Sequence, residues 1–263
     1  DMSKRFGQPV VVEVMGGANS LIAGNAVLKA KPDGYTLLYG ATEGISSVFN
    51  SENAVDCDTQ LTAISNLAVT PYAMMVSGKL PVRSLPELVA YGKANPRKLS
   101  YGSSGVGNMT HLVGELLNVL GGVELNHVPY KGEAASFPDL VSGQIQLAWG
   151  SVGFYARQLS TGKVKLIAVA SPKRLKDFPS VPTLSEAGYP DVNLAGWGGL
   201  FLPAGTPAAI VDKWSQEVRR ITNLPDVQKK IYEMGFEPMG NTPAEFSQVI
   251  ASDLQKWGAV VRA

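Results

Sequence analysis

The sequence predicts an α/β protein built from two lobes, and three observations support this prediction. The chain has 263 residues, of which 45% are apolar and 17% are charged. This length is more than one hydrophobic core comfortably serves. Strand-like runs alternate with helical patterns, as in α/β proteins. Several of the strand-like runs are apolar throughout, which favours a parallel sheet covered on both faces.

The elements follow from local patterns. Runs rich in branched residues and bounded by Gly, Pro or Asn predict strands at 9–14, 35–40, 61–69, 72–77, 98–103, 123–130, 145–150 and 164–171. Helical periodicity predicts helices at 19–30, 85–94, 108–120, 133–142 and 153–161, and then at 207–222, 225–234 and 243–262. Each of the last three opens with a proline in its first turn.

Composition excludes several classes of function. The net charge is +1, from 23 basic and 22 acidic residues, so we expect no nucleic-acid partner. Cys57 is the only cysteine, which leaves no intrachain disulfide and no thiolate metal cluster. We therefore expect no metal and no cofactor. The uncharged run at 192–211 contains glycines and prolines and indicates strand, turn and helix start rather than a membrane span.

The stretch "YGSSGVGNMTHLVGELLNVLGG", residues 101–122, suggests a binding loop. Apolar residues from Met109 to Leu120 form one helical stripe, Asn108 is a good N-cap, and Gly121–Gly122 provides the stop. Turns that join strand to helix lie where open α/β sheets bind ligands. Glycines and helix N-terminal amides suit a carboxylate. The alternative is a tight turn whose polar residues only cap the helix.

Known catalytic and nucleotide motifs are absent from the sequence. "GVGNMT" lacks the third glycine of a dinucleotide fingerprint, and "STGKV" lacks the glycine that a phosphate-binding loop needs. In "GSSGVG", Val106 stands where a nucleophile elbow needs its second glycine. The two histidines are interpreted as a supporting hydrogen-bond partner (His111) and a buried imidazole (His127). The sequence therefore predicts binding and not catalysis.

Other predicted strand ends supply candidate partners for the loop. One strand is followed by Thr42 and Glu43, and another by Gly150 and Ser151. A carboxylate at Glu43 would select an ammonium or hydroxyl group on a ligand, although it is equally consistent with an exposed loop acid. Trp197, flanked by glycines in "AGWGG", is a candidate for lining a cleft.

Taken in order, the blocks "KAKPDGYTLLYG", "SYGSSGVGNMTHLVGELL", "HVPYKG", "SPKRLKDFPSVPTLSEAGYP" and "FLPAGTPAAIV" resemble the Bug family. These proteins are the extracytoplasmic solute receptors of tripartite tricarboxylate transporters. The resemblance implies a type II periplasmic binding-protein fold, with two α/β lobes joined by two crossing segments and a ligand cleft between them. It assigns residues 1–70 and 196–263 to the first lobe and residues 71–195 to the second.

The resemblance also implies a function. The expected protein is periplasmic, with its signal peptide removed, acts as a monomer, and delivers a small organic mono- or dicarboxylate to a membrane permease. One carboxylate would be held by Ser103, Ser104, Gly105, Val106, Gly107 and Asn108. A second anchor would be a Gly-rich loop that, together with an upstream strand and half-helix, we expect to be missing from this sequence.

Two departures from the family pattern bear on the ligand. Many relatives have small polar residues where this chain has Ala41, Thr42 and Glu43, and an acid where it has Gly150. We therefore hypothesise that Glu43 faces the ligand. The alternatives to a receptor are a cytosolic effector-sensing domain of the same fold, which an upstream DNA-binding domain would indicate, and a small-molecule enzyme.

Overall fold

A computed structural model describes residues 2–15, 21–42, 55–171, 173–189 and 195–262 of the chain. The chain divides into two compact units. Unit 1 comprises Asp1–Ala68, Trp197–Lys229 and Pro238–Ala259, and unit 2 comprises Val69–Gly196, Lys230–Glu237 and Val260–Ala263.

The segment Lys230–Glu237 belongs to unit 2, whereas the family resemblance assigns it to the first lobe. The reason is a direct backbone contact within unit 2. A Cβ added to Gly235 would lie 2.3 Å from Cα of Gly153. Gly235 also has a φ of 83°, a conformation that favours glycine. Two glycines therefore bring this segment against the helix that begins at Val152.

Unit 1 combines a short antiparallel strand pair with helices. Strand β1 (Leu38–Ala41) pairs with β7 (Ala195–Pro203), with Leu38 opposite Phe201. The first half of β2 (Leu61–Ser77) lies beside β7. The helices that lie wholly or mainly in this unit are α1 (Met2–Phe6), α2 (Leu21–Leu28), α7 (Ala208–Thr222), α8 (Pro225–Glu233) and α9 (Pro243–Arg262). A buried cluster of Ile64, Leu202, Val211 and Val218 joins α7 to the strands.

Unit 2 is a sheet with helices on both faces. Its strands after β2 are β3 (Ser100–Ser103), β4 (Asn126–Pro129), β5 (Leu147–Ser151) and β6 (Val164–Ala170). Its helices are α3 (Leu85–Ala94), α4 (Met109–Gly121), α5 (Glu133–Ser142) and α6 (Val152–Leu159). Tyr101 packs on Gly114 of α4, whereas its neighbour Gly102 faces Ser136 of α5.

The sheet of unit 2 is mixed and not wholly parallel. β3 runs parallel to both β4 and β5, but the second half of β2 is antiparallel to β5 and β6. Met74 on β2, for example, lies opposite Trp149 and Ala168. The continuous apolar runs reflect burial on two faces, which a mixed sheet covered by helices also provides.

The strands of the structure differ from the predicted ones in three places. Residues 9–14 form no strand, and Val11, Val12 and Val14 are 75%, 85% and 92% exposed. The two strands expected at 61–69 and 72–77 are one strand, β2, which continues through Pro71. The two-residue strand β8 (Glu237–Pro238), which pairs with β2, was not predicted. Among the described residues, no helix is long and apolar enough to cross a membrane.

Candidate functional site

The candidate site lies in unit 2, at the carboxyl ends of the parallel strands β3, β4 and β5. Each of these strands is followed by a helix, so the turns into α4, α5 and α6 meet at one edge of the sheet. Ser103 is the last residue of β3 and lies beside Pro129, the last residue of β4. In open α/β sheets this edge is where ligands bind.

The turn between β3 and α4, residues 103–108, is hereafter the anion loop. Gly105 and Gly107 have φ values of 129° and 74°, which strongly favour glycine at both positions. Asn108 is the N-cap of α4, as predicted, because its Oδ1 accepts the N–H of Thr110 at 3.1 Å. The helix ends at Gly121 and its C-cap is Gly122, which is left-handed with a φ of 58°, so the predicted stop is also confirmed.

Most backbone N–H groups of the anion loop donate to the protein itself. The N–H of Ser104 donates to Oγ1 of Thr110 at 2.8 Å, and the N–H of Gly105 donates to Oγ of Ser103 at 3.1 Å. The N–H of Asn108 donates to the carbonyl of Gly105 at 3.2 Å. These bonds hold the loop in one shape, and a loop that is already ordered loses less entropy when it binds a ligand.

Three donors of the loop remain available. In the part of the chain that the structure describes, no hydrogen bond uses the hydroxyl proton of Ser104, the N–H of Val106 or Nδ2 of Asn108. All three lie just ahead of α4, where the helix dipole favours negative charge. A carboxylate has two oxygens that each accept more than one hydrogen bond. The set therefore suits a carboxylate.

Two histidine rings lie against the anion loop. The N–H of Gly107 donates to Nδ1 of His111 at 3.1 Å, and Oγ of Ser103 lies 2.6 Å from Nε2 of His127. The two rings are 4.0 Å apart between centroids. Burial lowers the pKa of His111, which Glu115 partly offsets. Burial and then His111 lower the pKa of His127 to about 4.

Tyr101 supports the histidine pair from β3. Its ring stacks on His127 with a centroid distance of 5.0 Å, and its hydroxyl donates to Oε1 of Glu115 at 2.6 Å. Burial and that hydrogen bond raise the pKa of Tyr101 above its ordinary value. Glu115 is also 3.8 Å from Nε2 of His111. The sequence interpreted His111 as a supporting hydrogen-bond partner and His127 as a buried imidazole, but it did not identify Tyr101 and Glu115 as their partners. His127 is only partly buried.

The Ser103–His127 pair does not have the arrangement of an activated nucleophile. Ser103 is 2% exposed, so its hydroxyl cannot meet a substrate in this conformation. Its Oγ also accepts from Gly105 and contacts the carbonyl of the same residue at 3.2 Å. The pair instead fixes the start of the loop.

The turn between β5 and α6 is bound by an acid from another helix, which the sequence did not reveal. Glu133, in the first turn of α5, accepts the N–H of Ser151 at 2.8 Å with Oε1 and its hydroxyl at 2.9 Å with Oε2. A Cβ at Gly150 would lie 2.9 Å from Cδ of Glu133 and 2.5 Å from Cε2 of Tyr155. Ser151 therefore donates to the protein's own carboxylate, and Gly150 leaves room for it. A first-turn glutamate after Gly132 is the sequence signal that was available.

Thr42 and Trp197 lie in unit 1, and Trp197 does not have the exposure expected of a residue lining a cleft. Its side chain is 2% exposed, packs on Phe201 and Phe246, and donates through Nε1 to Asp253 at 2.8 Å. The hydroxyl of Thr42 accepts the N–H of Trp197 at 2.6 Å. The indole is thus part of the core of unit 1. Glu43 lies outside the described residues.

Among the described residues, no group of three or more histidine, cysteine, aspartate and glutamate side chains has a geometry that could hold a metal ion. The anion loop has neutral donors only, and Glu115 and Glu133 are both engaged by neighbouring groups. The arrangement can hold an anion without covalent chemistry.

Comparison with known proteins adds a family to this geometry. Residues 1–263 match the family model described as "Tripartite tricarboxylate transporter family receptor". A solved structure described as a periplasmic transporter is 34% identical, with a TM-score of 0.86, and the match covers 99% of this chain and 88% of that one.

Two further solved structures contain organic acids. A protein of R. palustris with adipate is 31% identical, with a TM-score of 0.86 and coverage of 99% of this chain and 88% of that one. MatC from Rhodopseudomonas palustris with bound malate is 30% identical, with a TM-score of 0.84 and coverage of 99% and 90%.

Proposed function

Because this chain belongs to the tripartite tricarboxylate transporter receptor family, we propose that its anion loop holds a carboxylate of the solute it receives. Family membership makes the chain a periplasmic solute-binding receptor and not an enzyme. It also implies a membrane permease as the partner to which the loaded receptor delivers its solute.

The observation that carries the proposal is that the anion loop has two groups of hydrogen-bond donors, one bonded within the protein and one not. The N–H groups of Ser104, Gly105, Gly107 and Asn108 hold the loop in shape through bonds to the protein. The hydroxyl of Ser104, the N–H of Val106 and Nδ2 of Asn108 are left to a ligand. Neutral donors bind a carboxylate strongly enough to retain it and weakly enough to release it, as delivery to a permease requires.

The ligand class follows from the relatives and from the site together. One relative was solved with adipate and another with malate, both of which are small dicarboxylates. The chain has no strongly basic cluster in the loop that would match a polyanion. We propose a small aliphatic mono- or dicarboxylate as the solute.

We also propose that Glu43 contacts the ligand. A carboxylate there would favour ligands with a hydroxyl or ammonium group near the bound acid. In that case Glu43→Gln should change the ranking of malate against adipate. An unchanged ranking would remove Glu43 from the site.

Family membership weighs against the two alternatives that the sequence left open. An effector-sensing domain would be expected to match regulators, whereas the whole chain matches the receptor family. An enzyme would need an exposed nucleophile or base, and the serine nearest to a histidine is buried.

The test is isothermal titration of the purified chain with adipate and malate, comparing the wild type with Ser104→Ala and Asn108→Asp. The Asn108→Asp change keeps the oxygen that caps α4 but replaces the Nδ2 donor with a negative charge, so stability should hold while affinity falls. We expect a loss of about tenfold or more in each variant, since each removes a hydrogen bond to a charged group. Ser185→Ala, at an exposed serine remote in sequence, is the control. Unchanged affinity in both loop variants would refute the proposed carboxylate site.

A further inference from the structure

His111 contacts the anion loop in a way that depends on its protonation. Its Nδ1 accepts the N–H of Gly107 at 3.1 Å. A ring nitrogen accepts a hydrogen bond only while it carries no proton. The bond therefore requires the neutral ring with its proton on Nε2, the nitrogen that faces Glu115 at 3.8 Å. Protonation of Nδ1 would place two N–H groups against each other and release Gly107.

His127 contacts the other end of the same loop, and its contact is not sensitive in this way. Nε2 of His127 and Oγ of Ser103 are 2.6 Å apart. The hydroxyl of Ser103 can donate to a neutral Nε2, or accept from a protonated Nε2 while it donates to the carbonyl of Gly105 at 3.2 Å. One ring thus holds the loop start in either state, whereas the other holds Gly107 only when neutral.

We infer that His111 and His127 are positioning residues that hold the anion loop in its binding conformation, and that His111 releases the loop when it is protonated. The inference rests on the proposed function, because it concerns the same carboxylate site. Neither ring needs to touch the ligand. Each acts through a loop residue, Gly107 or Ser103.

The surroundings of the two rings favour the neutral forms. The titratable groups that face the pair are Glu115 on α4 and Tyr101 on β3. The two histidines, on α4 and β4, also face each other. A second positive charge 4.0 Å from the first is unfavourable, so the pair takes up protons one at a time. Burial lowers the pKa of both rings, and Glu115 raises it. At neutral pH both rings are uncharged and the loop is held.

Three His111 variants test whether His111 holds the anion loop through its hydrogen bond to Gly107 or only through the packing of its ring. His111→Asn keeps an acceptor where Nδ1 lies, because Oδ1 of asparagine is also two bonds from Cβ, but it does not titrate. His111→Ala removes the acceptor at every pH. His111→Phe keeps an aromatic ring beside His127 but has no acceptor, and so tests whether packing alone is sufficient.

The first readout needs no ligand. In ¹⁵N-labelled protein, the ring-nitrogen shifts of His111 should report the Nε2–H form at neutral pH, and the Gly107 amide should be protected from exchange. Because the pKa of His111 is lowered from 6.5, protection in the wild type should hold above that pH and fall as the pH is lowered below it, and it should stay level in His111→Asn. A proton on Nδ1 of neutral His111, or equal protection of Gly107 in the wild type and His111→Ala, would overturn the inference.

The second readout is affinity for adipate and malate over the same pH range. On acidification, we expect the affinity of the wild type to fall about three- to tenfold more than the affinity of His111→Asn. The fall in affinity of His111→Asn measures the effect of protonating the ligand. His111→Ala and His111→Phe should bind weakly at both ends of the range. Parallel pH profiles for the wild type and His111→Asn would contradict the acid-sensitive role. If neither acid binds the wild type, the proposed ligand class fails, while the Gly107 and ring-nitrogen measurements still decide the inference.

Discussion

Tyr101 fills the space that Gly114 leaves open: a Cβ on Gly114 would lie 2.1 Å from Cε2 of the tyrosine ring. The two residues bring α4 close to β3 and therefore set the height of the anion loop above the sheet. The same ring stacks on His127 and donates to Glu115. The packing beneath the candidate site thus depends on the absence of a side chain at Gly114.

Gly114→Ala should destabilise the protein, although alanine is the better helix former by about 1 kcal/mol. The tyrosine ring is fully buried and cannot move away without losing its partners, so we expect a net loss of about 1–3 kcal/mol of unfolding free energy. Urea denaturation of the wild type and the variant measures this difference in unfolding free energy. Gly121→Ala, on the same helix, is the matched control because its Cβ would meet its nearest neighbour at 3.4 Å. Equal stability of the two variants would contradict the packing argument.

Glu133→Ala should weaken the start of α6. The variant removes the acceptor for both the N–H and the hydroxyl of Ser151, and loss of a capping acceptor typically costs about 1–2 kcal/mol. Glu133→Gln keeps one oxygen and should lose less. The comparison is made by chemical denaturation of all three proteins. The idea fails if the alanine variant is as stable as the wild type.

Stability should fall in acid because of His127. Burial lowers the pKa of the ring from 6.5 to about 4, so between these values the unfolded chain binds more protons than the folded one. The contribution is fully present above pH 6.5, is lost as the pH falls towards about 4, and does not change further below that. The melting temperature should therefore fall less over this window in His127→Gln than in the wild type. Parallel curves for the two proteins would exclude a role for this ring.

Cys57 should be inert in the folded protein. Its side chain is 7% exposed, and burial, with smaller effects of Asp56 and Asp58, raises the pKa of its thiol to about 12. The thiolate that reacts with disulfide reagents is therefore nearly absent at about pH 8. Ellman's reagent should modify the thiol only after addition of denaturant. Fast modification of the native chain would show that this region opens.

Local signals were sufficient for much of the secondary structure. Helices α3 and α5 have the bounds predicted from sequence, 85–94 and 133–142. In α3, Ser84 accepts from the N–H of Glu87 while Glu87 accepts from the N–H of Arg83, and these caps are readable in the sequence. By contrast, the branched run at 9–14 forms no strand. A strand needs a partner, and a run of valines does not specify one.

Strand direction and long-range contacts were not readable in the same way. Nothing in "YAMMVS" indicates that β2 runs opposite to β5, because apolar runs report burial and not direction. The turn into α4 and its N-cap were predicted because the glycines, Asn108 and the helix are contiguous in sequence. Glu133 was missed because its contact with Ser151 spans 18 residues. Trp197 was misjudged because its glycine neighbours suggested an open surface, whereas Asp253, far along the chain, binds its indole.

Glu133 also gives the receptor an anion of its own. Its carboxylate occupies the donors at the start of α6, whereas the start of α4 keeps donors for the acid of the proposed solute. Along this edge of the sheet, the start of α4 therefore favours a negative charge, whereas the carboxylate of Glu133 at the start of α6 disfavours one. If the anion loop binds the solute's acid, as proposed, an asymmetric solute would be bound in one orientation, with its acid at the loop and an uncharged or hydrogen-bond-donating end towards the carboxylate of Glu133.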